Sequence, residues 1–374
     1  MVAKQVLVLA TIATGLWSWP AASTAASEST GVDEGRACFE AVEAGRYDQA
    51  LEPCNKSIES SEPGSPWLFD VYYSRGIALT ALGRYDAAVA DFDLLVPLAP
   101  DDPGLYYDRG RAHDLAGHYE LAIADYEKSR ALNPEDAFPY AGTGNVLGKQ
   151  GRFADAIPYY DRALELNPNL DAIYANRATA HYELGSVEQA IADWTEAIRL
   201  DPENALYYGD RAQALEEVGQ YDQALADYTV ALVDNPNDPE KLYNRGRIYQ
   251  FMHAFDDAIA DYSRAIELNP TLDSAYTNRG LAYSSLGDQE RAIEDYEAAL
   301  EINSNNPMTY GALGNALRFL GRNEEAIAAY TRVIEIDPSL PQAYQYRGLA
   351  YEELGKTAEA KADFDTAESL GYEE

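Results

Sequence analysis

Two cysteines, four histidines and 63 acidic residues are the side chains with the means for chemistry here. A catalytic thiolate needs a histidine or another cation to lower its pKa. Neither Cys38 nor Cys54 has a credible partner among His113, His118, His181 and His253. None of these histidines has metal-ligand spacing to another or to a cysteine. Residues 350–357, Ala350 to Thr357, fit a loose Walker A pattern. A phosphate-cradling loop follows a strand and opens a helix, and Gly355 instead stands where a turn between two helices recurs. The carboxylates are plentiful, but they return at fixed intervals, which marks structure rather than acid–base pairing. The chain reads as no enzyme, with no cofactor and no metal.

Those intervals expose the elements that position every side chain. Proline recurs every 34 residues at Pro100, Pro134, Pro168, Pro202, Pro236, Pro270 and Pro338, with Ser304 in the one gap. Twelve residues before each rung stands alanine, from Ala88 to Ala326, and one more step gives Ala360. A fixed period of this size means a solenoid whose units bury their apolar faces on one another. Nine such repeats tile 69–374. In the repeat 171–204, Tyr174, Ala178 and His181 share one face of a first helix. Gly185 stops that helix. Ala190, Trp194 and Ala197 mark the inner face of a second helix, and Pro202 ends it. Pro103, Pro239, Pro307 and Pro341 suit first helical positions. His113 and His181 fall on core aromatic positions, and His118 and His253 on turns.

These residues resemble the tetratricopeptide repeat. The family's order of aromatic, small, aromatic, Gly, Ala, aromatic, Ala and Pro stands here as Tyr276, Gly280, Tyr283, Gly287, Ala292, Tyr296 and Ala299, with Ser304 in the last place. The resemblance covers about nine tenths of the chain. It implies an all-α fold, a right-handed superhelical solenoid of antiparallel helix pairs. Residues 27–68 read as a divergent N-terminal capping repeat, since Gly45-Arg46-Tyr47 and Ala50 repeat the turn and the alanine out of register.

Two patterns lie inside the repeat. Arginine precedes the small residue of most first helices (Arg75, Arg109, Arg177, Arg211, Arg245, Arg279, Arg347), and aspartate follows 16 residues later. The repeats that lack the arginine, at Thr143 and Leu313, also lack the aspartate, at Tyr159 and Ala329. Equal distance from the turn predicts that each pair meets within one hairpin. Cys38 and Cys54 flank Gly45 in a similar way and are expected to form a disulfide, with two buried thiols as the alternative.

The formal charge of -35 argues against nucleic acid, which needs a Lys/Arg excess. It reads as solubility, or as preference for a basic partner. Residues 1–26 run from Lys4 through an apolar stretch, Val6 to Trp19, to small residues ending at Ala25 and Ala26. That order predicts a secretory signal peptide, with a retained anchor as the alternative and no other integral membrane span. The expected location is periplasmic or extracellular.

The family resemblance implies a protein or peptide ligand in a groove lined by first helices. Positions 2, 5, 6, 9, 12 and 13 of the nine repeats carry ten acidic and four basic residues, an average no more acidic than the whole. Position 5 has no lysine, against the mode in which lysines clamp a terminal carboxylate. Candidate contacts are the tyrosines Tyr73, Tyr107 and Tyr243 and the amides Asn176, Asn244 and Asn278. The alternative is a structural or assembly role in a cell-envelope complex, as a spacer or by self-association through the uncapped C-terminal helix near Phe364.

Overall fold

The computed structural model describes residues 26–372. The leader read at 1–26 lies, but for its last residue, outside them. Twenty α-helices follow one another without a strand among the described residues. Two compact units divide the chain, 1–169 and 170–374. The N-terminal unit holds four hairpins: α1 (Ala26–Glu43) with α2 (Tyr47–Ser60), α3 (Leu68–Ala81) with α4 (Tyr85–Leu95), α5 (Pro103–Leu115) with α6 (Tyr119–Leu132), and α7 (Ala137–Lys149) with α8 (Phe153–Leu166). The C-terminal unit holds six: α9 (Asp171–Glu183) and α10 (Val187–Leu200), α11 (Ala205–Glu217) and α12 (Tyr221–Asp234), α13 (Pro239–Phe251) and α14 (Phe255–Leu268), α15 (Asp273–Ser285) and α16 (Gln289–Ile302), α17 (Pro307–Phe319) and α18 (Asn323–Ile336), α19 (Pro341–Glu353) and α20 (Thr357–Ser369). Each unit is an all-α solenoid segment of antiparallel pairs.

Local chemistry sets the helix ends. Asp102, Asp238 and Asn306 each accept from the second and third backbone amides of the helix they open, with proline at its first position. At the hairpin turn Gly83 sits at φ +75°, and the Arg84 amide reaches back to the Leu79 carbonyl at 2.8 Å. This is the left-handed close of a helix, and it favours glycine. His253 holds the same turn at φ 59°, the only non-glycine with positive φ among the described residues.

Packing follows from the 16-residue register across each turn. A Cβ added to Gly144 would lie 2.6 Å from the Tyr160 ring, and one on Gly280 2.6 Å from Tyr296. The small residue thus lets an aromatic ring from the second helix lie flush against the first. The recurrent alanines, such as Ala88, Ala190 and Ala292, are fully buried, which allows the two backbones to approach closely. In α1 and α2 the same register belongs to Cys38 and Cys54, whose sulfurs are bonded at 2.10 Å with Cα atoms 4.9 Å apart. The disulfide stands where the other hairpins place a glycine or alanine against a ring.

Within each unit neighbouring first helices touch directly: α3 meets α5 and α5 meets α7, while α11 meets α13 and the contact continues to α19. Between hairpins, second helices pack mainly on the following first helix. The first-helix layer is therefore the tighter side of each stack. Lys361 of α20 stands at the position of Ile327 in α18, which packs against the cluster that holds Ala350 of α19. Lys361 pairs with Asp365 at 2.9 Å, and both are well exposed.

Candidate functional site

Seven first helices carry an arginine strut, and at least five of these arginines hold a second anchor as well. The Nε and one terminal nitrogen of each strut grip both oxygens of the aspartate 16 residues ahead: Arg75 to Asp91 at 2.8 and 2.6 Å, Arg109 to Asp125 at 2.8 and 2.7 Å, and Arg347 to Asp363 at 2.8 Å twice. Arg177, Arg211, Arg245 and Arg279 do the same with Asp193, Asp227, Asp261 and Asp295. The aspartates are buried and the arginines mostly covered. A planar guanidinium suits this two-point grip. The remaining nitrogen reaches the preceding hairpin: Arg75 to Asn55, Arg109 to Asp93, Arg211 to Thr195, Arg279 to Ser263 and Arg347 to Thr331, at 2.7 to 3.0 Å. Pairing within one hairpin was legible from the sequence; the second anchor was missed, although it lies 16 residues behind most of these arginines as the aspartate lies 16 ahead.

The two exceptions are filled differently. In the hairpin of α7 and α8, Arg130 enters from α6, donates to Thr143 Oγ1 at 2.5 Å, and lies over the rings of Tyr140 and Tyr159. In that of α17 and α18, Leu313 and Ala329 are buried in an apolar cluster with Leu300. One charge pair is replaced by a cation between two rings, the other by hydrocarbon.

The first-helix face carries a second ladder. Tyr73 donates to Asp108, and Asn278 donates to Tyr243 Oη at 3.0 Å. Lys149 reaches both oxygens of Asp114 at 2.8 and 2.9 Å, and Arg247 pairs with Glu216 at 2.7 Å. Gln213 donates to Tyr182 Oη at 3.2 Å. These links join neighbouring hairpins through positions 5, 6, 9, 12 and 13, the positions proposed to meet a ligand. Of the candidate contacts, Tyr73, Tyr243 and Asn278 are half-buried and engaged in this ladder. Tyr107 packs against Tyr126 and Phe138, and burial pushes its phenol up to about 12. Asn244 is half-buried on α13, while Asn176 lies exposed on α9 and keeps interactions of its own. Within the C-terminal unit, Tyr243, Asn244 and Asn278 come together on adjacent helices; Tyr73 and Tyr107 stand on adjacent helices of the N-terminal unit.

Burial shapes the charges of this face. Asp108 is pushed up to about 6 by desolvation, against which the Tyr73 hydroxyl and the Arg111 charge pull it down. Asp210, at the same position of α11, is also raised by burial. The histidines stay apart from the ladder. His113 and His118 place their Nδ1 atoms 3.4 Å apart with ring centroids 5.6 Å apart, so the two nitrogens point nearly straight at one another. Either ring can donate to the other, according to its tautomer. Burial lowers the His113 pKa. No group of three metal-ligating side chains comes together among the described residues. Gly355, within the Walker-like stretch, is a hairpin turn at φ +71°.

Comparisons with known proteins agree along the chain. Models described as "Tetratricopeptide repeat" match 40–103, 103–136, 137–170, 175–239, 239–272, 274–306, 295–328 and 341–370, and one described as "TPR repeat" matches 314–355. No curated protein matches the sequence. Among solved structures, MamA is 30% identical and aligns over 45% of this chain and 92% of its own, with a TM-score of 0.43. YrrB, described as a TPR protein with an unusual peptide-binding site, is 24% identical over 49% and 95%, with a TM-score of 0.48. A tetratricopeptide repeat protein from Parabacteroides merdae is 22% identical over 63% and 93%, with a TM-score of 0.49.

Proposed function

The chain belongs to the tetratricopeptide-repeat family, and we propose from that membership that it is an exported, non-catalytic scaffold holding a protein or peptide segment against its first-helix layer. Protein interaction is what the family has in common. The observation that carries the choice of face is the ladder on the first helices. Its amides, phenols and charges are held by their neighbours and still keep part of their surface exposed. Side chains fixed before binding lose little entropy on binding. The charge of -35 speaks for a protein ligand and against nucleic acid. Export rests on the leader pattern at 1–26 and suits the bonded cysteine pair.

A photo-reactive side chain at position 278, on the first-helix face, should cross-link the bound partner in expressing cells. The same group at 294, on the exposed side of α16, should not. Cross-links confined to 294 would place binding on the second helices and end this reading of the face. Export is checked by the mass of the protein recovered from the cells, which should correspond to cleavage near Ala25 or Ala26.

A further inference from the structure

We propose that the first-helix face of α13, α15 and α17 seats an uncharged, extended peptide segment about six residues long with basic residues at its ends. The inference rests on the scaffold reading and gives its ligand a place and a chemistry. The charge map is the first support. At the face positions of these three helices only Glu240, Arg247 and Arg318 are charged, in a chain of net charge -35. Both arginines are committed to the flanking helices: Arg247 to Glu216 of α11 at 2.7 Å, and Arg318 to Glu353 of α19 at 3.6 Å. The window's one other charge is Glu240, and the border carboxylates outside these two pairs are Glu217 on one side and Glu352 on the other. An average over all first helices hides this segregation.

Gly311 is the second support. A glycine inside a helix costs about 1 kcal/mol relative to alanine, so it needs a reason. Gly280 and Gly314 have one, since a Cβ there would meet a tyrosine ring at 2.6 Å. A Cβ on Gly311 would meet nothing within 4 Å, and the residue is half-exposed. Neither internal packing nor a left-handed turn requires it. It leaves a notch on α17 between exposed Met308 and Asn315, where another backbone can approach.

The third support is the orientation of two amides. Asn278 donates its Nδ2 to Tyr243 Oη at 3.0 Å, which leaves its Oδ1 as the acceptor atom. Asn315 accepts from Tyr330 Oη at 2.8 Å through Oδ1, which leaves its Nδ2 as a donor. Adjacent helices thus offer an acceptor and then a donor, the complement of a peptide N–H and C=O. Helices about 8–10 Å apart match roughly three residues of extended chain at about 3.3 Å each, so three helices span about six. Phe251 and Phe319, 52% and 74% exposed at the far ends of α13 and α17, offer apolar contact to its side chains. A charge in the middle of the segment would be desolvated without a partner, whereas basic ends meet the acidic borders.

Selection from a phage-displayed random decapeptide library on the immobilised full chain tests this. It should return peptides with uncharged cores of about six residues and Lys or Arg towards the ends. Gly311→Leu should hold or raise the melting temperature, because it adds helix propensity at a site with open space, yet lower the affinity of those peptides at least tenfold. Asn315→Asp should do likewise. Charged cores, or full affinity of Gly311→Leu together with loss in Tyr107→Ala, would overturn the placement and leave the scaffold reading standing. A library that yields no binder would overturn both.

Discussion

The N-terminal and C-terminal units are built from one hairpin and held by different means. The N-terminal unit begins with a covalent staple, and its first-helix face buries charge: Asp108 under Tyr73, and Asp114 beneath Lys149. Two of its four hairpins carry the arginine strut, one has the disulfide, and one borrows Arg130. The C-terminal unit has no cysteine. Five of its six hairpins carry the strut, and its face is tied by phenols, amides and hydroxyls such as Tyr243, Asn278 and the Thr277–Thr309 contact. A terminal hairpin lacks a neighbour on one side and frays most easily, so a staple adds most at an end. Most interior struts also reach the pair before, which ties the order of those hairpins to the stack itself.

The sharpest way to break the contrast is to leave a strut half made. Asp295→Ala strands the mostly covered Arg279 and should cost about 3 kcal/mol, read as a lower urea midpoint. Adding Arg279→Leu, in imitation of Leu313 and Ala329, should recover most of that loss. No recovery would mean the strut itself, not the avoidance of a stranded charge, sets the stability.

Removing the staple should act on the other unit. Cys54→Ser should cost the N-terminal unit about 3 kcal/mol, as expected for a closed loop of 16 residues. Hydrogen exchange should rise in α1 and α2 and stay unchanged in the C-terminal unit. Alkylation of the native protein under denaturing, non-reducing conditions should add no mass; two alkyl groups would show free thiols.

The buried carboxylate gives a pH-dependent difference. Asp108 titrates at about 6 in the folded chain against 3.8 unexposed to such burial. Below pH 3.8 both states hold the proton. Between these values the folded state holds more protons than the unfolded one, so its contribution is present at low pH and is lost as pH rises through 6. The N-terminal unit should lose about 3 kcal/mol across that window, the pull of Tyr73 and Arg111 being already contained in the shift. Asp108→Asn should flatten this slope, measured by urea unfolding at intervals from pH 4 to 7. An unchanged slope would assign it to other groups.

The smallest effect concerns the turn of α13 and α14. His253→Gly should stabilise by about 0.5 kcal/mol, since relief of the left-handed strain slightly exceeds the added chain entropy. A melting temperature that falls would show the His253–Phe255 contact to matter more.

Much of this molecule is readable along the chain because its contacts are local. The pairing of Arg75 with Asp91, the seating of a ring against Gly144, and the meeting of Cys38 with Cys54 all follow from one distance across one turn. The candidate site is less legible. Tyr73 and Asp108, or Tyr243 and Asn278, are 35 residues apart, and nothing in either repeat says that these side chains meet. The pattern at position 5 and position 6 shows the residue types without showing that they hold one another. Arg130 filling the place left by Thr143 and Tyr159 is equally silent, because its position is Leu or Ile in six of the eight other repeats.

The amino-acid sequence by itself determined the helices, their hairpin pairing and the small, aromatic and charged residues that meet across each turn. The reason is that a fixed period and a short turn leave only one register. Tertiary structure alone decided how one hairpin addresses the next: which polar groups on the first helices are spent on each other, which carboxylate is buried, and where Gly311 has open space above it. Those outcomes depend on side chains from different repeats arriving at one place, and a period common to all repeats carries no information about the residues in which they differ.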